Sequence, residues 1–406
     1  MKHNFDTPID RSGTSCLKWD YLQAFFGKED LNALWVADMD FKTPPEILEP
    51  LIERAKHGVF GYTAKPEGFY QSVIQWFLKR YGWSIERDWI VATPGVVPAL
   101  NLAIQTFTEP GEGIIIQPPV YFPFEESIRL NDRRVLNNRL LLNEDRYVIN
   151  FEDLERRAGN ASMLVLCSPH NPVSRVWTRE ELEEIGRICR QNDLMVFSDE
   201  IHADIVFPPH RHMPTAAVNE FLRENSICAY ATSKTFNLAG LQLSVNIIPQ
   251  EVIRNRFKES LAKLHMNMSN IFGIVGTQAA YANGGEWLDQ LLEYLWGNYL
   301  EVASFLRSKI PGISVLEPQG TFLLWLDCRG LGLSDDELAS LFVNRAKLAL
   351  SGGSMFGPGG EGFMRMNIAC PRKNLMDALS SLEKALDDDS PLPAEPPCCS
   401  GGPDDT

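Results

Sequence analysis

The sequence lacks the segments that anchor a chain in a membrane or direct it across one. No apolar run approaches the length that crosses a bilayer, and residues 1–6 lack the basic start and apolar core of a signal peptide. The expected location is therefore the cytoplasm. Six thiols are scattered without paired spacing, which argues against a disulfide framework. We expect these to be small buried hydrophobic residues: Cys16, Cys167, Cys189, Cys228, Cys328 and Cys370.

Positive charge is scarce in this chain. There are 38 Lys and Arg residues against 53 Asp and Glu, which gives a net charge of −15. Six of the negative residues follow Lys384, the last basic residue, so the remainder carries −9. An acidic chain repels phosphate backbones and anionic lipids, which disfavours nucleic acids and membrane surfaces as partners. Any bound phosphate must be held by a local site.

What is present is the composition of a large globular protein. With 406 residues, 44% hydrophobic and 22% charged, the chain can bury roughly three quarters of its unfolded surface and is expected to form two domains. Helical and strand patterns alternate from about residue 44 to residue 248, which is typical of a parallel sheet wrapped by helices. The predicted fold class is α/β.

The chain divides into four predicted regions. Residues 1–43 form an N-terminal segment that packs with the smaller domain, residues 44–285 the large domain, and residues 286–386 the smaller domain. Residues 387–406 are rich in Pro, Gly and Asp and are predicted to be disordered. The tail pair Cys398 and Cys399 lacks a preorganised site, so a redox or metal role is disfavoured.

Several helices and strands are predicted from local patterns. Helices are expected at 66–81, at 178–191 with a capping box formed by Thr178 and Glu181, and at 287–310, 335–349 and 375–386. Strands are expected at 113–117, 163–167, 194–197, 227–231, 243–248, 314–316, 321–327 and 363–369.

Lys234 is the most informative single residue. An apolar strand pattern reaches Thr232 and Ser233 and delivers the lysine at the strand's end, before a loop of small residues. A desolvated lysine loses its proton readily, and the neutral amine can condense with an aldehyde to give a Schiff base. Alone, the residue would more often be a surface lysine at a strand end.

Asp199 also follows an apolar strand. Strand C-termini converge on the ligand crevice of a doubly wound sheet, where a carboxylate can pair with the protonated ring nitrogen of pyridoxal phosphate. A helix cap or a solvent-facing strand end is the alternative for an isolated Asp. Asn171, fixed by Pro172 after another strand, can donate to a ring oxygen or serve as an ordinary Asn-Pro turn.

Further candidates surround these residues. Gly95 forms a turn before the helical pattern 101–107, and backbone N–H groups at such a helix start suit a phosphate. Arg365 is a charge within an apolar strand, which favours a carboxylate ligand over an internal salt bridge. Tyr121 can stack on a flat ring and Tyr62 can reach a phosphate, although either can be a core or turn residue.

A metal site is not predicted. His202, His210 and His212 have the spacing at which imidazoles can converge, but no Cys or carboxylate cluster accompanies them at ligand spacing.

Taken together, these segments resemble the fold type I pyridoxal-phosphate enzymes of the class I/II aminotransferase superfamily. The resemblance is strongest to its cystathionine β-lyase, or cysteine-S-conjugate β-lyase, branch. The similar segments are 9–11, 34–41, 95–101, 117–121, 168–172, 198–204, 233–242 and 363–371. The resemblance implies a mostly parallel sheet of the seven-stranded type flanked by helices. A smaller α+β domain would be built from the C-terminal region and the N-terminal segment.

The resemblance also implies residue roles around pyridoxal 5′-phosphate. Lys234 would bind the cofactor covalently, Asp199 would pair with the ring nitrogen and Asn171 would lie near the ring hydroxyl, with Tyr121 stacked on the ring. The other implied cofactor contacts are Val96, Val97, Ser233 and His202.

The same resemblance implies an amino-acid substrate and a homodimer. Arg365 would bind the substrate carboxylate beside Ala37, and Tyr62 would reach the phosphate in the neighbouring subunit. The sequence departs from the wider superfamily at Gln242, where many members have a phosphate-binding arginine, and at His202, where many have tyrosine. Ser174 stands where the branch usually has Gly, so a positive φ there would cost stability locally.

The predicted reaction is β-elimination from a cysteine thioether such as cystathionine, which releases a thiol, pyruvate and ammonia. The first alternative is an aminotransferase acting on a small or aromatic amino acid, because the spacing of the candidate residues along the sequence does not distinguish transamination from β-elimination. The second is a cofactor-binding regulator with a vestigial site, against which the set Asp199, Lys234 and Arg365 argues.

Overall fold

The computed structural model describes residues 3–144, 146–388 and 390–392. Its strands are β1 Asn32–Ala33, β2 Ile90–Thr93, β3 Gly113–Ile116, β4 Arg134–Asn137, β5 Leu141–Asn143, β6 Arg146–Val148, β7 Met163–Cys167, β8 Met195–Asp199, β9 Ser226–Tyr230, β10 Ser244–Ile247, β11 Ser314–Val315, β12 Leu323–Asp327, β13 Leu348–Ala349, β14 Ser351–Gly352 and β15 Phe363–Asn367.

The α-helices are α1 Leu17–Asp20, α2 Leu22–Phe26, α3 Pro45–Lys56, α4 Glu67–Tyr81, α5 Val96–Phe107, α6 Pro123–Leu130, α7 Phe151–Ala158, α8 Arg179–Gln191, α9 Glu220–Glu224, α10 Thr232–Thr235, α11 Glu251–Lys263, α12 Ile271–Asn283, α13 Gly285–Lys309, α14 Asp335–Ser340 and α15 Arg372–Leu386. Short 3-10 turns lie at Arg87–Trp89, Thr215–Ala217, Ala239–Leu241, Arg329–Leu331 and Gly353–Phe356, and a π turn lies at Leu341–Arg345.

The central sheet has seven strands in the order β2-β10-β9-β8-β7-β3-β4. Strand β10 is antiparallel to both of its neighbours, and the other pairings are parallel. Alternate residues of one strand face different hydrophobic clusters: Val165 packs with α5, α6 and α11, whereas Leu164 packs with α7 and α8. Helices therefore cover both faces of the sheet, which confirms the predicted α/β class.

The C-terminal region forms a second, antiparallel sheet in the order β11-β12-β15-β14. The N-terminal segment joins this region through the parallel pair β1 and β13, in which Asn32 lies opposite Leu348. Helix α13, Gly285–Lys309, follows α12 and connects the helices around the central sheet to this C-terminal region. The division at residues 285 and 286 stays a prediction, as do the other region boundaries.

Most predicted elements lie where the sequence patterns put them. Helices α4 and α8 match the ranges predicted for them, and both hydrogen bonds of the capping box between Thr178 and Glu181 are present. The predicted helix 335–349 is wrong at its C-terminal end. It ends in the π turn Leu341–Arg345, and the strand Leu348–Ala349 follows because these residues pair with β1.

Three further predictions concern membrane-spanning segments, the burial of the cysteines and the cysteine pair in the C-terminal tail. Among the residues that the structure describes, no helix combines the length and apolarity needed to span a membrane. Of the six cysteines expected to be buried, five are, and Cys16 is half-buried. The prediction for Cys398 and Cys399 lies outside the described residues.

Candidate functional site

A cavity of about 460 Å³ lies at the C-terminal ends of the parallel strands β7, β8 and β9. We call it the central cavity. Strand ends of this kind meet at one edge of a doubly wound sheet, which is why separate polar residues gather there. Nine of the predicted site residues line it: Ala37, Val96, Val97, Tyr121, Asn171, Asp199, His202, Ser233 and Lys234.

Lys234 lies in the one-turn helix α10, four residues beyond Tyr230, the last residue of β9, and not at the strand's end as the pattern predicted. Its Nζ donates to the carbonyl oxygen of Ala37 at 2.6 Å. Desolvation lowers the pKa of Lys234 to about 8. The positive charge of Arg365 lowers this pKa as well, whereas the carboxylates of Asp38 and Asp199 act in the opposite direction. A substantial fraction of this amine is therefore neutral near physiological pH.

The segment that carries Ala37 is held by a side chain close to Lys234 in sequence. Asn237 donates through Nδ2 to the carbonyl oxygens of Met39, at 2.8 Å, and Phe41, at 3.1 Å. Its Oδ1 accepts from the Met39 N–H at 3.0 Å. These three bonds fix the 37–41 segment against the turn that presents the lysine.

A buried ionic cluster supports the same segment. Lys18 is fully buried and lies 2.7 Å from Asp40, and Arg11 lies 2.5 Å from Asp38 and 2.7 Å from Asp40. Two cations thus face two carboxylates, which satisfies charges that would be costly to bury alone. The N-terminal segment thereby helps to position the Ala37 carbonyl.

Asp199 is the last residue of β8 and is almost fully buried. Its Oδ1 accepts from the N–H of Ile201 at 3.0 Å. Desolvation raises the pKa of Asp199 to about 7, and the nearby charge of Glu200 acts in the same direction, although Lys234 and the Ile201 N–H oppose the shift. A cationic ligand against this carboxyl would therefore favour its charged form.

Glu200 points away from the central cavity into a polar network that the sequence analysis missed. Its carboxylate lies 2.6 Å from His212 Nε2, accepts from the Thr215 N–H at 3.0 Å and accepts from the Tyr230 hydroxyl. Burial alone would raise the pKa of Glu200, but these partners outweigh it and the pKa is lowered. Asp199 and Glu200 are consecutive residues, and successive side chains of an extended chain point to opposite sides, so Glu200 faces away from the cavity that Asp199 lines.

Arg365 is 4% exposed on β15 and does not line the central cavity, but it reaches a residue that does. Its Nη1 donates to Asn171 Oδ1 at 3.1 Å, and its Nη2 donates to the Trp35 carbonyl oxygen at 2.8 Å and Ser351 Oγ at 3.2 Å. Burial lowers the pKa of Arg365 to about 10. Within the described residues it has no carboxylate partner, and its buried Nε has no hydrogen-bond partner.

His202 is 3% exposed and lines the central cavity. Its Nδ1 is buried without a hydrogen-bond partner among the described residues. Burial and then the charges of Lys234 and Arg365 hold the pKa of His202 well below its usual value, so the ring is neutral. Across the described ranges, no group of three His, Cys, Asp or Glu side chains is arranged to hold a metal ion.

Helix α5 begins at Val96 and Val97, and its first turn lines the central cavity. Gly95 precedes it, and no side chain of the described residues is hydrogen-bonded as a cap, so the first backbone N–H groups are available to a ligand. The backbone of Gly95 is extended, and an added Cβ would come within 3.3 Å of Pro98. Ser233 lines the cavity, whereas the Thr232 hydroxyl bonds Thr277 at 3.2 Å.

The two predicted tyrosines lie in different places. Tyr121 lines the central cavity, and its ring meets Phe124 edge-on at 5.8 Å between ring centroids. Tyr62 is 97% exposed and lines a separate cavity of about 400 Å³ with Phe60, Met268 and Ile271. Within one chain, Tyr62 therefore does not join the other predicted residues.

Several residues that line the central cavity were not among the predicted candidates. They are Pro94, Pro98, Cys167, Ile201, Ala231, Ala239, Gln242 and Leu243. For two of them, the sequence contained a pattern from which their place in the site could have been predicted. Cys167 ends β7 and Ala231 follows β9, so the convergence of strand ends that selected Asp199 applies to them equally.

Comparisons with known proteins agree with this geometry. The family model "Aminotransferase class I and II" matches residues 30–382. "Cystathionine beta-lyase PatB" of Bacillus subtilis is 42% identical over 94% of this chain and 100% of its own length, and "Protein MalY" of Escherichia coli is 33% identical over 94% and 98%. The crystal structure of cystalysin from Treponema denticola, which contains a pyridoxal 5′-phosphate cofactor, superposes with a TM-score of 0.92 at 37% identity, covering 95% of this chain and 99% of that one. The chain belongs to the class I and II aminotransferase family.

Proposed function

We propose that this protein is a pyridoxal-phosphate-dependent carbon–sulfur β-lyase that acts on cystathionine or a related cysteine thioether. The observation that carries the proposal is the central cavity, in which a desolvated lysine and a buried carboxyl face one space. Next to it lies an arginine that has no acidic partner in the described part of the chain. The names of the Bacillus subtilis relative and the cystalysin structure support the lyase activity and the cofactor.

The residues of the central cavity fit pyridoxal 5′-phosphate. A volume of about 460 Å³ accommodates a substituted pyridine and its phosphate. His202 Nδ1 has no hydrogen-bond partner among the described residues, and the Asp199 carboxyl lines the same space, so polar groups are available to a ligand. The uncapped start of α5 supplies N–H groups for a phosphate.

The proposed contacts follow from these positions. Lys234 would hold the cofactor covalently, and Asp199 would pair with the ring nitrogen. Tyr121 would cover one face of the ring, and Asn171, whose Oδ1 accepts from Arg365, would offer its Nδ2 to the ring oxygen. The phosphate would lie against the N–H groups of Val96 and Val97 and the hydroxyl of Ser233.

The cofactor, when bound, supplies an electron sink conjugated to the substrate's α-carbon. The protein supplies the proton transfers. The neutral Nζ of Lys234 is suited to take the proton from the α-carbon, because its pKa of about 8 lies near neutrality. The same Nζ, once protonated, can donate to the departing sulfur. Arg365 orients the substrate by binding its α-carboxylate through the planar guanidinium.

Transamination is the alternative outcome for the same site, because the same lysine proton transfer serves both reactions. Incubation with cystathionine in the absence of any 2-oxo acid distinguishes them. We expect release of free thiol, pyruvate and ammonia at a constant rate. Strict dependence on an added 2-oxo acid would instead assign an aminotransferase.

Two lysine variants test the role of Lys234. Lys234→Ala is expected to remove the visible absorbance of the bound cofactor and to reduce turnover by at least a thousandfold, since both covalent attachment and proton transfer are lost. Lys258→Ala is the matched control, because burial also lowers the pKa of Lys258 although it lies on α11 outside the cavity lining. Turnover retained by Lys234→Ala would refute the assignment.

A homodimer completes the proposal. Tyr62 is almost fully exposed and stands with the exposed side chains of Val59 and Phe60 in an apolar surface patch. Patches of this kind are typical of subunit interfaces. In the dimer, Tyr62 would enter the site of the neighbouring subunit and bind its phosphate.

A further inference from the structure

Asp204 is a buried carboxyl that lies outside the lining of the central cavity. Its Oδ1 accepts from Trp76 Nε1 at 3.0 Å and from the Tyr81 hydroxyl at 2.6 Å. Its Oδ2 accepts from the Thr235 hydroxyl at 3.0 Å. Three neutral donors therefore satisfy a carboxyl that would be costly to bury alone.

Two of these donors fix Asp204 against a long helix. Trp76 and Tyr81 both belong to α4, which has 15 residues. Burial and then the charge of Asp204 raise the pKa of Tyr81 well above its usual value, so this phenol remains a donor. The indole N–H of Trp76 can only donate. The Asp204 carboxyl is therefore held in one orientation, with Oδ2 left for Thr235.

The third donor belongs to the helix that carries the reactive lysine. Thr235 is the last residue of α10, directly follows Lys234 and is 1% exposed. At the first residue of the same helix, the Thr232 hydroxyl lies 3.2 Å from the Thr277 hydroxyl of α12. A helix of one turn has little stability of its own, so tertiary contacts must hold it. The two hydroxyls anchor α10 at its two ends.

The turn that carries Asp204 also reaches the central cavity. Ile201 and His202 line the cavity, and the Ile201 N–H donates to Asp199 Oδ1 at 3.0 Å. The hydrogen bond between Asp204 and Thr235 joins this turn to α10. It therefore connects the acidic side of the cavity to the side that presents the lysine.

We propose that Asp204 is a positioning residue that, through Thr235, holds the helix of Lys234 in the place from which Nζ transfers protons. In the proposed reaction, Nζ serves two atoms of the substrate, the α-carbon and the sulfur. A displacement of about 1 Å in such a group can lower the rate on the order of a hundredfold. The inference rests on the proposed lyase function and adds to it a buried hydrogen bond that touches neither cofactor nor substrate.

Thr235→Val and Thr235→Ser test this hydrogen bond in the holoenzyme. Valine keeps the shape of threonine and loses the donor, whereas serine keeps the donor. We expect Thr235→Val to lower kcat for thiol release by about ten- to a hundredfold, with KM within about threefold of wild type. Thr235→Ser should return kcat to within about threefold of wild type.

Reattachment of the cofactor provides a readout that needs no substrate. When pyridoxal phosphate is added to the cofactor-free protein, the rate at which visible absorbance returns reports how well Nζ of Lys234 reaches the aldehyde. We expect this rate to be about three- to tenfold lower in Thr235→Val and to recover in Thr235→Ser.

Thr108→Val is the matched control. Thr108 is also buried, and its hydroxyl donates to the Ile104 carbonyl oxygen at 2.7 Å outside the cavity lining. We expect a loss of stability in urea similar to that of Thr235→Val, with kcat and the reattachment rate unchanged. If Thr108→Val lowered both rates as much as Thr235→Val does, general destabilisation would explain the effect and the inference would be overturned.

A double-variant cycle assigns the effect to Asp204. We expect Asp204→Ala to slow reattachment at least as much as Thr235→Val, and the combined variant to be no more than about twofold slower than Asp204→Ala alone. Losses that multiply would show that Thr235 acts independently of Asp204. If Asp204→Ala does not fold, the three threonine variants decide the question by themselves.

The outcomes separate this inference from the proposed function. Wild-type values of kcat and of the reattachment rate in Thr235→Val would overturn the inference and leave the lyase function intact. A wild type that attaches the cofactor but releases no thiol would count against the lyase function, and the reattachment rates would still test the position of Lys234.

Discussion

At the scale of single residues, Arg365 is buried, and among the residues that the structure describes it has no acidic partner. Its guanidinium donates to neutral oxygens of Asn171, Trp35 and Ser351. A buried cation in such surroundings is stabilised when an anion arrives. The bonds that hold the guanidinium also fix its plane, which prepares it for a carboxylate. The geometry therefore favours substrate binding over a structural salt bridge.

The variant Arg365→Lys tests this role. We expect KM for a cysteine thioether to rise by about ten- to a hundredfold with a smaller change in kcat, because an ammonium does not form the two parallel bonds of a guanidinium. Steady-state kinetics of thiol release measure both constants. Arg372→Lys is the control, since that guanidinium bonds Asn298 at 3.1 Å outside the cavity. An unchanged KM in Arg365→Lys would show that the carboxylate binds elsewhere.

Asp199 leads to a prediction about stability and pH in the cofactor-free protein. Burial raises its pKa from 3.8 to about 7, so the folded state holds this proton more tightly than the unfolded chain does. The stability that protonation contributes is fully present below pH 4 and is lost as the pH rises to about 7, a loss of about 4 kcal/mol. Asp199→Asn removes this dependence because the amide does not ionise.

Urea denaturation at pH 4 and pH 8 measures the effect. We expect the free energy of unfolding of Asp199→Asn, relative to wild type, to increase by about 4 kcal/mol between the two pH values. Asp193→Asn is the control, since Asp193 is exposed and its positive φ of 55° suits Asn. Parallel pH profiles for wild type and Asp199→Asn would contradict the raised pKa.

At the scale of elements, the turn after β7 shows how a strained residue is retained. Ser174 has a φ of +56°, so the condition under which the sequence analysis expected a local cost in stability is met. Its hydroxyl donates to the Leu323 carbonyl oxygen at 2.5 Å and lies 3.0 Å from Thr321 Oγ1, which links the turn to the second sheet. The bonds offset the cost of the left-handed backbone.

Two substitutions at Ser174 separate these opposing effects. Ser174→Ala keeps the strained backbone and loses the hydrogen bonds, so we expect a loss of about 1–2 kcal/mol in the free energy of unfolding. Ser174→Gly loses the same bonds but relieves the strain, so its stability should stay within about 1 kcal/mol of wild type. Urea denaturation of both variants measures the difference. Equal losses in the two variants would mean that the positive φ carries no cost.

At the scale of the whole molecule, the proposed dimer makes each site depend on two chains. The test is a mixture of two inactive variants, Lys234→Ala and Tyr62→Ala, unfolded and refolded together. If Tyr62 acts across the interface, the hybrid dimer contains one site with both residues intact, and about a quarter of wild-type activity returns in an equal mixture, as random pairing predicts. If Tyr62 acts within its own chain, no hybrid site is complete and activity stays at the level of the separate variants.

The size of the refolded species provides the control for that experiment. Light scattering after gel filtration should give twice the chain mass of 45.8 kDa for the wild type and both variants. A monomeric wild type would contradict the proposed dimer directly.

The sequence by itself determined the sheet's class and the residues that end its strands. Strand patterns are local, and the C-terminal ends of parallel strands meet at one edge, so Asn171, Asp199 and the lysine after β9 could be assigned to one crevice in advance. The exposure of Tyr62 and the polar network around Glu200 could not, because both depend on which side chains arrive from distant parts of the chain.

Only the tertiary structure decided how these residues act together. The contacts of Lys234 with Ala37 and of Arg365 with Asn171 join positions 197 and 194 residues apart, and no local pattern records such a distance. The pKa values of Lys234 and Asp199 depend on desolvation, which arises only when the surrounding segments have packed. The sequence therefore selects the chemical groups, and packing sets their geometry and protonation.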